Sequence, residues 1–206
     1  MTGDYVTWAL EHYQKRWASQ GLGYQGHDPR DEHERSEGFL DFATKHPTAY
    51  ERSYGPGHFT GSALITTPQF DRVLLTHHAK LNLWVQLGGH LDGEKKAYLG
   101  AQREAEEESG LAELDFAKLP ILSEDNIPLP FDVDCHDIPA RKQESEHQHY
   151  DLRYLFVTNK PDSFAISDES LDLKWFSISD ARKITNELSM HRQFDKLEFL
   201  AQKLRI

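Results

Sequence analysis

Glutamates crowd the stretch Arg103-Glu104-Ala105-Glu106-Glu107-Glu108-Ser109-Gly110-Leu111, which follows Gly88-Gly89-His90-Leu91-Asp92-Gly93-Glu94. Wound at about 100° per residue, Glu104 and Glu108 fall on the side that carries Ala97, Ala101 and Ala105. A run of glutamates usually faces water, and Gln102 and Glu106 fit that pattern. An ionised group on a stripe of alanines meant for packing is costly unless it is paired or bound to metal. Glu107, one turn from Glu104, adds a third acid, and like charges at this spacing oppose the helix. A divalent cation inverts that penalty. Hard oxygen donors in this number suit Mg²⁺ or Mn²⁺, which keep waters and hold substrate phosphates. Arg103 can orient one carboxylate through a bidentate contact or make an ordinary surface ion pair.

Histidine is the second anomaly, with 12 in the chain. On a strand, His147, His149, Asp151 and Arg153 share one face and Tyr150, Leu152 and Tyr154 the other. Such a polar face can simply be exposed. Read functionally, it is a pocket for phosphate or leaving group, or an additional transition-metal site. On that reading His136, His147 and His149 border the same pocket as the carboxylates, with His90 and Arg153 as further substrate contacts. His77 and His78 lie on the other side of the presumed site. His12, His33 and His191 read as surface residues on helices.

The elements that must position these groups follow from periodicity. Val6, Ala9, Leu10, Tyr13 and Trp17 predict an amphipathic helix ending near Gly21 and Gly23, whose stripe needs cover from the catalytic domain or a homodimer contact. Residues 31–46 predict a second helix, stopped by Pro47 and charged enough to be a surface element or partner contact. Residues 62–67 and 72–76 form a hairpin-like pair, and 83–87 another strand with Gly88-Gly89 as its terminating turn. A helix over 96–109 is closed by Gly110. Further strands are expected at 131–136, 151–158 and 171–176, and a last helix at 186–204. Strands interspersed with helices indicate an α/β sandwich, divided into a helical extension over 1–56 and a catalytic domain over 57–206.

Composition bounds the partners. The 206 residues carry 23 Lys and Arg against 34 Asp and Glu, a formal charge of −11. Extended nucleic acid is therefore disfavoured, and a phosphorylated substrate needs a local cation. The longest stretch free of charged residues, 53–70, contains two prolines and several glycines, so it is no membrane span. One cysteine, Cys135, fits a reducing compartment, and the N-terminus lacks a secretory pattern; the expectation is a cytoplasmic protein.

The acidic stretch resembles the signature of the Nudix hydrolases. Gly89 opens it, and Arg103, Glu104, Ala105, Glu107, Glu108, Gly110 and Leu111 fall in register; Lys95 stands where the family has its first Glu, with Glu94 one residue earlier. The resemblance implies a Nudix-type α/β/α sandwich with a mixed sheet, and hydrolysis of a diphosphate linkage in a nucleoside diphosphate derivative or related phosphorylated metabolite. It implies that Glu104 and Glu108 bind Mg²⁺ or Mn²⁺, that Glu107 ligates or orients, that the Gly88 carbonyl completes the set and that Arg103 orients the carboxylates. The general base varies in the family; Glu104, Glu144 and Glu146 are the candidates here. Glu94 either supplies the missing outer carboxylate or is an ordinary first-turn acid. The alternatives are a Nudix-like nucleotide-binding or regulatory module with weakened chemistry, and an isoprenyl diphosphate isomerase, which would want a reactive cysteine beside the site.

Overall fold

The computed structural model describes residues 4–18, 24, 27–140, 145–166 and 170–204. Asp4 caps the first helix, α1 (Tyr5–Tyr13), which runs into a π-helical turn over Gln14–Ala18. Val6, Ala9, Leu10, Tyr13 and Trp17 are all buried in the chain's own core, so the stripe finds its cover within the molecule. The predicted end of this helix near Gly21 and Gly23 lies outside the described residues.

The second helix, α2 (Pro29–Lys45), starts at an Asp28 cap with proline in its first turn. It is no mere surface element. Glu32, Ser36, Phe39, Phe42 and Ala43 are buried, and Phe42 stacks on Tyr150 with ring centroids 3.7 Å apart. The many charges of this segment conceal an apolar stripe at helical spacing.

Ten strands follow among the described residues: β1 (Gly57–Thr66), β2 (Arg72–His78), β3 (Leu83–Val85), β4 (Leu87–His90), then, after helix α3 (Ala97–Ser109), β5 (Asp115–Phe116), β6 (Ser123–Glu124), β7 (Ile127–Pro128), β8 (Asp132–Ile138), β9 (His147–Val157) and β10 (Ser170–Ser177). Helices α4 (Ile178–Ile184) and α5 (Leu188–Leu204) close the order. Eight strands make one mixed sheet, β10-β2-β1-β9-β5, to which β3 adds on β2, β4 on β1 and β8 on β9; β6 and β7 form a separate hairpin. Among the described residues only β1 and β9 run parallel, over the full length of β1. Its partner on the other side changes from β4 at Thr60–Ala63 to β2 at Ile65 and Thr66. Gly88 and Gly89, expected to end a strand, instead lie inside β4, opposite Ser62 and Gly61.

Sheet parity gives the two faces different work. One carries Phe59, Gly61, Ala63, Tyr150, Leu152 and Tyr154, and against it pack α1, α2 and α3. Gly61 lets α3 come close, because a Cβ there would sit 2.9 Å from both Ala101 N and Ala97 O. The other face carries His58, Thr60, Ser62, His147, His149, Asp151 and Arg153, and α5 reaches it through Arg192, which donates to Asp132 and Asp134 of β8.

A buried ionic cluster joins these layers. Lys196 of α5, fully buried, lies 2.7 Å from Asp132 and 3.1 Å from Glu32 and donates to Tyr13 Oη at 2.8 Å. Tyr13 and Tyr24 donate to Glu32, and Arg35 pairs with it at 3.2 Å. Arg153 donates to Asp151 at 2.8 Å and to Asp134 at 3.2 Å, with Asp132 at 3.4 Å. Four carboxylates (Glu32, Asp132, Asp134, Asp151) thus meet four cations (Arg35, Arg153, Arg192, Lys196). Burial opposes ionisation of Asp132, but Arg192, Lys196 and Arg153 hold it well below the usual carboxylate range. Removing one member leaves an uncompensated buried charge, so Lys196→Met is expected to cost about 3–5 kcal/mol, read as a lowered urea midpoint. A midpoint unchanged from the wild type would show that Asp132 and Glu32 need no counter-ion there.

Candidate active site

The carboxylate helix is positioned by its small residues. Ala97, Gly100, Ala101, Ala105 and Ser109 of α3 are buried toward the sheet, and Gly110 ends the helix in the left-handed conformation. With that face down, Glu104 lies along the backbone of Gly89: a Cβ on Gly89 would fall on Glu104 Oε2. Glu108 Oε2 accepts the Gly88 amide at 3.1 Å. Glu104 is 16% exposed and Glu107 is 63% exposed, so the first is walled in and the second reaches into solvent.

Arg103 ties this group together. Its Nη1 lies 2.9 Å from Glu104 Oε1 and 3.8 Å from Glu107 Oε2, while Nη2 donates to the His90 carbonyl at 2.8 Å and lies 3.6 Å from Asp92. Asp92, a residue with φ of 50° in the turn after β4, was not among the sequence candidates; only its proximity to Gly93 could have drawn attention to it. Glu94 Oε1 accepts the amide of Lys96, the residue that precedes α3. This contact supports the helix start. Lys95 is exposed.

The donor set suits a hard divalent cation: three carboxylates on one helix, a fourth on the adjacent turn, and a strand whose backbone comes close enough that Gly89 can carry no side chain. A groove of about 400 Å³ lined by Gln102, Phe116, Leu122 and Pro128 lies beside α3, but none of the carboxylates lines it.

The histidines assemble elsewhere. His58, which the sequence did not single out, pairs in register with His149, and His149 with His136. His90 stands opposite Thr60, two residues from His58 along β1. Ring centroids of His58 lie 5.1 Å from His90, 4.7 Å from His149 and 5.0 Å from His147. Burial, reinforced by the neighbouring imidazoles, pushes His58 down to about 4 and His149 to about 2, so both rings are neutral near pH 7.

The expectation that these rings border the carboxylate pocket does not hold. His90 has the parity of Gly88, which faces Ser62, whereas Gly89 faces Glu104. The histidines therefore stand on the sheet face opposite the carboxylates. Arg153 is likewise no free phosphate contact, because it is buried and bound by Asp151, Asp134 and Asp132. Its sharing a face with His147, His149 and Asp151 is as expected. Glu146 is exposed just before His147, at the histidine end of β9; Glu144 lies outside the described residues.

Comparison with known proteins completes the picture. The family model described as NUDIX domain matches residues 58–197. The chain belongs to the NUDIX family. A NUDIX-family hydrolase structure from Clostridium perfringens is 28% identical, covering 69% of this chain and 97% of that one, with a TM-score of 0.54. The Ap4A hydrolase of C. elegans, in a binary complex, shares the fold at a TM-score of 0.53 and 21% identity, over 70% of this chain and 98% of that one. No curated protein matches the chain by sequence. As a Nudix-type pyrophosphohydrolase, it carries the mixed sheet and flanking helices expected of it, and no helix among the described residues is long and apolar enough to cross a membrane.

Cys135 separates this Nudix protein from the isomerase alternative. It lies on β8, which pairs with β9 and has no register with β4. Although the residue is exposed, partial desolvation by its neighbours, aided by Asp134 and Asp137, pushes its thiol up to about 11 from an ordinary 9.0. At neutral pH the thiolate is then about a hundredfold scarcer, and the greater nucleophilicity of a high-pKa thiolate recovers about a tenfold. Alkylation by iodoacetamide is expected to run roughly tenfold slower than that of free cysteine; a rate above that of free cysteine would restore a reactive nucleophile.

Proposed function

We propose that this enzyme hydrolyses a diphosphate linkage in a nucleoside diphosphate derivative or related phosphorylated metabolite, using Mg²⁺ or Mn²⁺ at the carboxylate helix. The observation that carries this reading is the seating of Glu104 and Glu108 on the Gly88-Gly89 backbone, with Arg103 clamped between Glu104 and the His90 carbonyl. Glu104 and Glu108, with the Gly88 carbonyl, are the residues to hold the ion, and Glu107 supports them from the exposed side. When bound, such an ion neutralises charge on phosphate oxygens and favours deprotonation of water.

The protein's own groups supply position and proton transfer. Arg103 fixes the direction of the Glu104 carboxylate, which lowers the reorganisation needed during reaction. Glu104, the more enclosed acid, is assigned the acceptance of the attacking water's proton; Glu146 is the alternative base. The chain's charge of −11 repels a polyanionic substrate at long range, so binding depends on the local cation. The C. elegans neighbour's named substrate, Ap4A, belongs in the test panel on the same grounds as nucleoside diphosphate sugars and ADP-ribose.

Hydrolysis of that panel with Mg²⁺ or Mn²⁺ is expected to release phosphate or nucleoside monophosphate, and chelator to abolish it. Glu108→Gln is expected to lower turnover by at least about a hundredfold, because one charged donor is lost from the site. Full activity in that variant or with chelator would overturn the metal assignment, and hydrolysis of no panel member would leave a binding module as the better reading.

Glu94 gives a finer test. Its contact with Lys96 N favours a role at the helix start, which makes Glu94→Gln nearly silent in turnover and Lys95→Ala equally so. A ten- to hundredfold loss in Glu94→Gln would instead assign it the outer carboxylate position.

A further inference from the structure

Across the sheet from the carboxylates, β1, β4 and β9 each aim one imidazole at a common point. The ligand-capable atoms of His58, His90 and His149 already lie within 4.8 Å of one another, the one such group found among the described residues. His147 adds a fourth ring, its Nε2 being 3.3 Å from His149 Nε2. Zn–N bonds of about 2.0–2.1 Å at tetrahedral angles place two nitrogens about 3.3–3.4 Å apart. One edge of that figure is present between His147 and His149, and within the trio of His58, His90 and His149 the separations need to close by at most about 1.4 Å, which modest rotations of the ring side chains deliver.

Two details specify a cation. His58 is 1% exposed, and among the described residues neither of its ring nitrogens makes a hydrogen bond of full geometry, the Tyr54 backbone offering one of them a partial partner; a buried polar group with a nitrogen left over calls for a ligand. Ser145 O lies 2.8 Å from His147 Nδ1. A carbonyl can only accept, so Nδ1 carries a proton, and in the neutral ring the Nε2 lone pair points at His149. An oxyanion would need the opposite polarity there.

We propose that His58, His90, His149 and His147 form a second metal site, selective for a transition-metal cation of the Zn²⁺ class, that straps β4 to β1 and β9. Imidazole nitrogens favour Zn²⁺, Co²⁺ or Ni²⁺ over Mg²⁺, so the two faces of the sheet sort their metals by donor type. β4 is short and, among the described residues, pairs only with β1. It is also the strand whose Gly88 amide holds Glu108 and whose His90 carbonyl receives Arg103. An ion on the histidine face therefore fixes the backbone on which the carboxylates rest.

The test is metal retention by the full chain, stripped with chelator and dialysed against ZnCl₂ in excess Mg²⁺. One Zn²⁺ per chain is expected, and substituting Co²⁺ is expected to give the strong visible absorption of a tetrahedral site. His149→Gln and the half-buried His90→Gln are expected to weaken Zn²⁺ binding at least about a hundredfold, while Glu104→Gln and Glu108→Gln retain it. Should the buried histidine variants fail to fold, imidazole ¹⁵N shifts in the wild-type chain on adding Zn²⁺ report the same ligands. Failure to retain Zn²⁺, retention unaffected by His149→Gln, or retention lost in Glu108→Gln each overturns the proposal. Because the readout is binding, loss of hydrolytic activity alone does not bear on it.

Discussion

Everything at the candidate active site depends on how closely α3 can lie on β1 and β4. The helix offers alanines and a glycine, the strands offer Gly61 and Gly89, and the two backbones meet with little between them. That approach sets the height of Glu104 above the strand and brings Glu108 within reach of the Gly88 amide. Close packing of this kind is stiff, since interiors tolerate even one added methylene poorly. The carboxylates consequently inherit their positions from the packing of small residues, with Arg103 correcting only their direction.

The same strands present two kinds of donor because side chains alternate. Between Gly88, Gly89 and His90 the chain presents first one face, then the other, then the first again. Carboxylate oxygens gather on one side and imidazole nitrogens on the other, separated by the thickness of a single strand. Lower on the histidine face, Thr60 and Ser62 both donate to Asp151, and Asp151 passes the network on to Arg153 and the buried ionic cluster. A buried polar network therefore runs from Thr60 and Ser62 through Asp151 and Arg153 to Asp132 and the Arg192 of α5.

Much of this was legible in the chain. The spacing of Glu104, Glu107 and Glu108 against Ala97, Ala101 and Ala105 is local, so helical periodicity exposed it, and alternation placed His147, His149, Asp151 and Arg153 together. His58 escaped notice because its importance comes from parallel pairing with His149, some ninety residues away, and no local pattern records such a partner. Gly88 and Gly89 read as a turn because glycine punctuates strands; here close approach to Ser62 and Glu104 outweighs that tendency. The charges of α2 likewise hid Phe39 and Phe42. The joining of His136, His147 and His149 to the carboxylate pocket failed on parity, a property fixed by register and invisible until strands are paired.

The ionic cluster has a consequence for how the chain assembles. Tyr13 and Lys196, which share a hydrogen bond, are separated by 183 residues. Lys196 of the last helix bridges Glu32 and Asp132, both anions and far apart in the chain. Arg35 and Arg153 can pair these carboxylates earlier in the chain, but the bridge between the two needs loop closure over nearly its whole length. Docking of α5 is thereby coupled to docking of the N-terminal helices, so loosening one end of the chain is felt at the other.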